Sequence, residues 1–234
     1  MKNTVILFLL SLTIGLQGQT PRKVDFNKDQ ISKFDKKLLI GFAFNNSWTS
    51  FPGMKGHDVF TKPSLGFHVK TDYFFKKNIG ISVGLGYQQR GCGIINIDVE
   101  KSVGNADSTH RQRFRTNNIS IPLQLIFRQQ HYIFKDAKLS FGIGIVPSYI
   151  FSATDIFHSV EDGFHILTHN TDDYNSFDIP VRLSAGIDVN ASESCIFRIH
   201  LVADFGLTNM YIDPADQTTS GRNRLYGIDL NCMF

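Results

Sequence analysis

Apolar and polar residues alternate along much of the chain, most clearly in its last third. Over residues 177–189, every odd position is apolar and most even positions are polar or small. The same alternation recurs over 195–207 and 226–234. Because successive side chains of a β-strand point to opposite faces, this period of two predicts strands with one apolar and one polar face.

Five earlier segments follow the same rule less strictly, and they span residues 38–48, 64–75, 79–90, 118–127 and 139–151. The total is about eight strands, each close to the roughly 9–11 residues that a tilted strand needs to cross a bilayer. Long connections alternate with shorter ones. The long connections are 49–63, 91–114, 152–174 and 209–221, and the shorter ones are 75–78, 129–138 and 190–194.

Two properties of the faces favour a barrel that spans a membrane. The polar face is rich in Gly, Ser and Ala with few charges, which suits the crowded lumen of a small barrel. The apolar face carries aromatic residues near both strand ends, like the girdles of membrane barrels. One group is Trp48, Tyr87, Tyr149, Phe151 and Phe177, and the other is Tyr73, Phe75, Phe127, Phe141 and Phe234.

We therefore predict an all-β, eight-stranded antiparallel up-and-down transmembrane β-barrel over residues 38–234. Long loops are external in such barrels and short turns are periplasmic, so both termini should lie in the periplasm. A soluble secreted ligand-binding barrel, whose apolar face would point inward, is the alternative fold.

The N-terminus has the form of a secretory signal peptide. Lys2 precedes an apolar run over residues 5–16, and small and polar residues follow. The run is too short to cross a bilayer as a helix. We predict a signal peptide over 1–18 and a flexible periplasmic leader over 19–37, and we expect the barrel in the outer membrane of a Gram-negative bacterium.

Composition excludes some classes of function and fold. A formal charge of +3 is too small to indicate a nucleic-acid partner. Three cysteines are too few for a fold built on disulfides. Cys195 and Cys232 fall near the periplasmic ends of neighbouring strands, where either a disulfide or two lipid-facing free thiols would fit.

The charged residues of the polar face are expected to form a buried network. On the inward face we place Lys70, Asp72, Arg182, Asp188, Arg198, His200, Asp204 and Asp229. An uncompensated charge in a narrow lumen is costly, so these groups should pair and fill the lumen. Eight strands leave room for side chains and not for a channel. His200 should lie level with Asp229, and a proton or ion path is the functional alternative.

Candidate catalytic and metal-binding residues are few. The connection 152–174 holds Asp155, Glu161, Asp162, Asp172 and Asp173 with His158, His165 and His169. A solvated acidic loop is favoured there, and a divalent-cation site with His165 and His169 on a helix is the alternative. We predict no catalytic, cofactor-binding or metal residues, and we expect no enzyme activity.

A lipid-modifying enzyme is a further alternative, because small barrels that deacylate lipid A carry a His-x-Ser-Asn stretch near their last strands. The comparable residues 207–210 contain no histidine. His200 faces the lumen, and with no neighbouring serine expected we interpret it as a satisfied interior histidine.

Proline and glycine positions predict local features of the wall. Pro122 and Pro180 each remove a backbone donor within a strand, so we expect a bulge or break at both. The Gly-x-Gly pairs at 84–86 and 142–144 lie inside predicted strands with no helix after them. They indicate packing or twist positions and not nucleotide loops.

Residues 38–234 resemble the PorT-like family of outer-membrane β-barrels. The matching stretches are Ile-Ser-Ile-Pro-Leu-Gln-Leu at 119–125, Phe-Gly-Leu-Thr-Asn at 205–209, and the final strand. The final strand also resembles the signal that the barrel-assembly machinery recognises, through Tyr226, Gly227, Leu230 and Phe234. Cys232 departs from that pattern, in which an aromatic residue is commoner.

The resemblance implies an outer-membrane location and, through the family's namesake, an accessory part in type IX-like protein secretion. From all these features we expect a structural or interaction role, through the external loops or the periplasmic rim. The expected partners are outer-membrane lipid, the barrel-assembly machinery during insertion, and a protein bound at the loops or rim. No cofactor is expected.

Overall fold

The computed structural model describes residues 37–51, 58–96, 110–134, 136–159, 165–169, 175–191, 195–212 and 220–234. The predicted signal peptide and nearly all of the predicted leader lie outside these residues. Within the described part, no helix is long and apolar enough to cross a membrane.

The described residues form twelve strands. They are β1 Leu38–Ser50, β2 Asp58–Lys76, β3 Ile79–Asn96, β4 His110–Ser120, β5 Leu123–Arg128, β6 Ala137–Ile145, β7 Ser148–Ser159, β8 His165–His169, β9 Phe177–Asp178, β10 Val181–Asn190, β11 Ile196–Ile212 and β12 Ser220–Met233.

The strand pairings close into a ring of eight spans. Strand β3 pairs with both β4 and β5, which are the two halves of one span. Likewise β6 and β7 form one span, and β8, β9 and β10 contribute to the next. Each span pairs antiparallel with its neighbours in sequence, and β12 pairs with β1, where Phe44 lies opposite Leu230. The predicted all-β, antiparallel up-and-down barrel is confirmed.

The apolar face of the wall points outward. Leu85 and Leu201 are each 58% exposed, whereas inward-facing Leu225 is fully buried. The aromatic residues predicted for the two ends also face outward, and Trp48 and Phe234 are about half exposed. A soluble ligand-binding barrel would place its apolar face inside, so the structure excludes that alternative.

A row of prolines interrupts three neighbouring spans at one level. The predicted breaks at Pro122 and Pro180 are confirmed, since each lies between two shorter strands, and Pro147 makes a third that sequence patterning missed. The remaining backbone hydrogen bonds run from Gly84 N–H to Pro122 O at 2.9 Å, from Ile121 N–H to Pro147 O at 2.8 Å, and from Val146 N–H to Pro180 O at 2.9 Å. The wall therefore stays connected across the row.

Several predicted loops are partly strand, and these boundaries were wrong. The pairing of β3 with β4 continues to Asn96 and His110, inside the predicted loop 91–114. Strand β7 runs to Ser159 and pairs with β8, inside the predicted loop 152–174. Beyond the membrane both faces of a strand can meet water, so apolar alternation disappears while the backbone ladder persists.

The pairing of the last two strands can be tested through the cysteines. Cys195 and Cys232 are free thiols whose Sγ atoms lie 2.8 Å apart, whereas Cys92 is fully buried. We expect copper-phenanthroline oxidation of intact membranes to join Cys195 to Cys232 and to leave Cys92 unmodified, as read by peptide mass spectrometry. A bridge that includes Cys92 would contradict this pairing.

Candidate functional site

The candidate site is the polar interior of the barrel. All eight charged residues that the sequence places on the inward face are buried there, at no more than 5% exposure: Lys70, Asp72, Arg182, Asp188, Arg198, His200, Asp204 and Asp229. They come from β2, β10, β11 and β12. Because inward positions on neighbouring strands are in register, their side chains meet across the lumen.

Asp188 is the centre of one charged cluster. Its carboxylate accepts hydrogen bonds from Arg198 Nε and Arg128 Nε, both at 2.9 Å. Ser140 Oγ donates to the same carboxylate at 2.5 Å. Arg198 also reaches Asp72, with 2.9 Å between Nη1 and Oδ2. Two carboxylates thus face two guanidinium groups within one cluster. Sequence reasoning missed Arg128, which follows the end of a predicted strand.

A second cluster forms around Asp204. Arg182 binds this carboxylate with two hydrogen bonds, from Nε at 2.6 Å and from Nη2 at 2.8 Å. Arg90 bridges from Asp204, at 3.4 Å, to Asp178, at 2.7 Å. Thr208 donates to Asp178 at 2.6 Å. Paired Arg–carboxylate forks fix orientation as well as charge. Arg90 and Asp178 occupy inward positions of predicted strands, but the predicted charged network did not include them.

The third pair joins Lys70 to Asp229. Lys70 Nζ lies 2.5 Å from Asp229 Oδ2 and donates to Asn231 Oδ1 at 2.9 Å. His200 does lie opposite Asp229 in the pairing of β11 with β12. The carboxylate is nevertheless bound by the lysine of β2, which a strand-by-strand reading could not find.

His200 has a serine neighbour, so the expectation that it lacks one was wrong. The Nε2 atom of His200 lies 2.6 Å from Ser140 Oγ and 3.4 Å from Asp188 Oδ1. Gly186 of β10 pairs with His200 of β11 on one side and with Ser140 of β6 on the other. Because Gly186 has no side chain, the imidazole of His200 reaches across it to Ser140. The serine is 60 residues away in the chain, so sequence proximity gave no indication of it.

A second histidine, in the first half of the chain, bonds a serine across a glycine in the same way. His68 of β2 lies beside Gly86 of β3, which lies beside Ser120 of β4. His68 Nε2 is 2.8 Å from Ser120 Oγ. A Cβ atom at Gly86 would collide with the His68 ring. Glycine at these two inward positions therefore allows a large polar side chain to bond two strands away.

The Ser140, His200 and Asp188 arrangement differs from a catalytic triad. In a triad the carboxylate bonds one imidazole nitrogen and the serine bonds the other. Here Ser140 and Asp188 both approach Nε2, and Ser140 itself donates to the carboxylate. All three groups are buried. The geometry fits a structural hydrogen-bond network.

Apolar layers lie at the two ends of the polar interior. The layer towards the termini consists of Leu39, Phe74, Ile126, Ile196 and Met233. The layer at the other end consists of Phe51, Cys92, Phe114, Ile150 and Ala153. Along the strands, Asp72 and Arg198 lie just inside the first layer, and Arg90 lies just inside the second. Sequence patterning missed both layers because it considered only polar and small residues as the filling of the lumen.

The described parts of 152–174, which are 152–159 and 165–169, are strand and not the expected loop. Asp155 lies on β7 and is buried, and His165 and His169 lie on strand β8 instead of a helix. No group of three or more metal-ligating side chains occurs among the residues that the structure describes. Glu161, Asp162, Asp172 and Asp173 fall outside those residues.

The residues of the predicted assembly signal lie on or next to β12. Tyr226, Leu230 and Phe234 face outward and are partly exposed. Gly227 faces inward and packs against Ser47 of β1. The final strand therefore presents an aromatic and aliphatic stripe to the surroundings while it closes the ring.

This architecture, with an apolar outer wall and a polar interior, defines a transmembrane β-barrel. A family model described as "Outer membrane protein beta-barrel domain" matches residues 17–211, and the chain belongs to that family. The protein is therefore located in the outer membrane of a Gram-negative bacterium, with its wall against lipid. No curated protein matches the sequence.

Several solved structures are similar to this chain. Neisserial surface protein A is 8% identical with a TM-score of 0.49, over 85% of this chain and 96% of that one. Ail, the attachment invasion locus protein of Yersinia pestis, is 13% identical with a TM-score of 0.42, over 85% and 100%. OprG from Pseudomonas aeruginosa is 14% identical with a TM-score of 0.45, over 84% and 95%.

Replacement of Asp188 tests the importance of the buried network. We expect Asp188→Asn to lower the free energy of unfolding by about 3–5 kcal/mol, because two buried guanidinium groups lose their shared carboxylate. Urea unfolding in detergent micelles, followed by the fluorescence of the single tryptophan, measures the change. Asp136→Asn, in an exposed turn, is the matched control and should change nothing. Equal stability of the two variants would contradict this role.

Proposed function

We propose that the protein is a closed outer-membrane barrel that acts by contacts at its external surface or its periplasmic rim. The observation that supports this proposal best is the layered interior, in which apolar layers lie at both ends of an ion-paired core. Ions and polar solutes need a continuous hydrated path, and these layers oppose one. The function is therefore sought on the outside of the barrel.

The external end supports this proposal. Strands β2, β3, β4 and β7 continue past the aromatic residues of that end, and β8 adds to β7. The result is a raised sheet that presents side chains beyond the membrane surface. Leu167 of β8 is 58% exposed there. Exposed apolar side chains on rigid strands suit contact with another macromolecule.

A more specific version of this proposal is an accessory role in type IX-like protein secretion. It rests on the resemblance to PorT-like barrels at 119–125 and 205–209. The first stretch contains the Pro122 break, which lies within the wall. In this role the partner would contact the periplasmic rim, where the turn between β5 and β6 is exposed. The barrel-assembly machinery would act earlier, on the final strand.

A lipid-modifying activity is less well supported by the geometry. Among the described residues, the histidine that meets both a serine and an aspartate is His200, and it is buried in the lumen. A lipid substrate approaches from the outer wall, on the other side of the backbone. Loss of Ser140 should therefore leave the lipid A of the producing cells unchanged in mass.

A conductance measurement tests the closed interior. In planar bilayers the purified protein should give no reproducible conductance steps, because the apolar layers and the ion pairs fill the lumen. A known porin in the same bilayer is the positive control. Reproducible large conductance steps would contradict the proposal and support the alternative function, a proton or ion path.

Photo-crosslinking in living cells tests the contact role and separates its two forms. A photoactivatable residue at Leu167 probes the external sheet, one at His131 probes the periplasmic rim, and one at Leu201 is the lipid-facing control. We expect a discrete protein adduct at Leu167 or His131 and none at Leu201. An adduct at His131 alone would favour the secretion role. Absence of adducts at both positions would contradict a protein partner.

A further inference from the structure

Two of the three cysteines lie next to each other on the outer wall, at the end of the barrel that carries the C-terminus. Cys195 comes directly before β11, and Cys232 is near the end of β12. In the pairing of these strands, Phe197 lies opposite Cys232. Cys195 is two residues before Phe197 and shares its outward face, so it is the diagonal neighbour of Cys232 on that face.

The two sulfur atoms are within reach of a covalent bond. Cys195 Sγ and Cys232 Sγ lie 2.8 Å apart, although the two residues are 37 positions apart in the chain. A disulfide has its sulfur atoms about 2.05 Å apart, so the side chains need to approach by only about 0.8 Å. The register of the last two strands, and not a local turn, brings the two thiols together.

The third cysteine cannot compete for this pairing in the folded protein. Cys92 is fully buried in the apolar layer at the opposite end of the barrel, where it packs with Phe51, Phe114 and Ile150. A bond from Cys92 to either of the other cysteines would require the barrel to unfold. The folded chain can therefore form one internal disulfide, and Cys92 is a built-in reference thiol.

The cysteine pair lies at the edge of an oxidising compartment. The short turns and the C-terminus lie at this end, as they do on the periplasmic side of outer-membrane barrels. Cys195 belongs to one of these turns, since its carbonyl oxygen accepts from Ala191 N–H at 3.0 Å. Protein disulfides in the bacterial periplasm accept electrons from the thiols of exported chains.

We propose that Cys195 and Cys232 form a disulfide by exchange with a periplasmic protein disulfide. The thiolate of one cysteine attacks the disulfide of the oxidant and releases one thiolate of that protein. The thiolate of the second cysteine then attacks the mixed disulfide, and the oxidant leaves as a dithiol. Two electrons and two protons pass from the cysteine pair to the oxidant. This inference rests on the outer-membrane location and not on the proposed contact role.

The bond would secure the seam of the barrel, which is the pairing of β12 with β1. At the end of the seam, Phe234 N–H donates to Ile40 O at 2.8 Å, and Ile40 N–H donates to Phe234 O at 3.2 Å. Strand ends at a chain terminus fray unless they are tied down. A disulfide between Cys232 and Cys195 holds the end of β12 on β11 as well. It also restricts the unfolded chain by closing a long loop.

The first experiment counts free thiols in cells that produce the full chain. Acid quenching stops thiol exchange, and a maleimide then labels the free thiols in denaturant. We expect one label per chain, at Cys92, and three labels after reduction. Mass spectrometry should show the peptides of Cys195 and Cys232 joined, with the loss of two hydrogen atoms. No oxidant is added, because added copper joins neighbouring thiols in any compartment.

Variants and a second strain identify the bond and its origin. Cys92→Ala should carry no label before reduction, whereas Cys195→Ser should carry two labels, at Cys92 and Cys232. In cells that lack their periplasmic thiol oxidase, the parent chain should carry three labels, because the protein disulfide that accepts the electrons is missing.

The effect on the seam is read from thermal unfolding. We expect reduction to lower the temperature at which the folded gel band of the parent disappears by roughly 5–10 °C. Cys195→Ser with Cys232→Ser should unfold at this lower temperature and should not respond to the reductant. Cys92→Ala is the matched control, and it should respond to the reductant as the parent does.

Four results would overturn the proposal. Three labels per chain in quenched parent cells would show that the thiols stay free. A bond that includes Cys92 would contradict the pairing. An unchanged bond in cells without the oxidase would exclude exchange with a protein oxidant. An unfolding temperature of the parent that does not respond to reduction would exclude the role at the seam.

Discussion

Closure of the backbone ladder is the constraint on which the rest of the structure depends. In hydrocarbon, each N–H and C=O group must be bonded within the protein, so a β-sheet can span the membrane only as a closed ring. Here β12 completes the ring by pairing with β1. The prolines at 122, 147 and 180 are compatible with this constraint because they stand side by side, and one backbone hydrogen bond crosses between each pair of neighbouring spans.

A closed ring of eight spans then determines what the interior must contain. The lumen is too narrow for bulk water, so polar groups must bond to one another. Asp188 and Asp204 each bind two arginines, and Lys70 binds Asp229. Glycines at 86 and 186 create the space in which His68 and His200 reach serines two strands away. Apolar layers lie at both ends of this core.

The outer surface therefore carries the features that a barrel serving only as a membrane anchor would not need. Beyond the aromatic residues, β2, β3, β4 and β7 continue as a raised sheet. The exposed side chains of this sheet, such as Leu167, remain available to a macromolecular partner.

Period-two alternation determined where the eight membrane-crossing segments lie and which residues share a face, because side-chain direction in a strand depends on local backbone geometry. The small residues of the polar face and the aromatic residues at the strand ends then placed the apolar face outward and the eight charged residues inward. The missing N–H of proline located two of the three breaks in the wall, at Pro122 and Pro180. The tertiary structure alone decided which charges pair, since Lys70 and Asp229 are 159 residues apart and meet only when the ring closes. It likewise placed Ser140 beside His200 and revealed apolar layers inside the barrel. Those contacts depend on strand register and on which neighbour is glycine, and neither is encoded in any one strand.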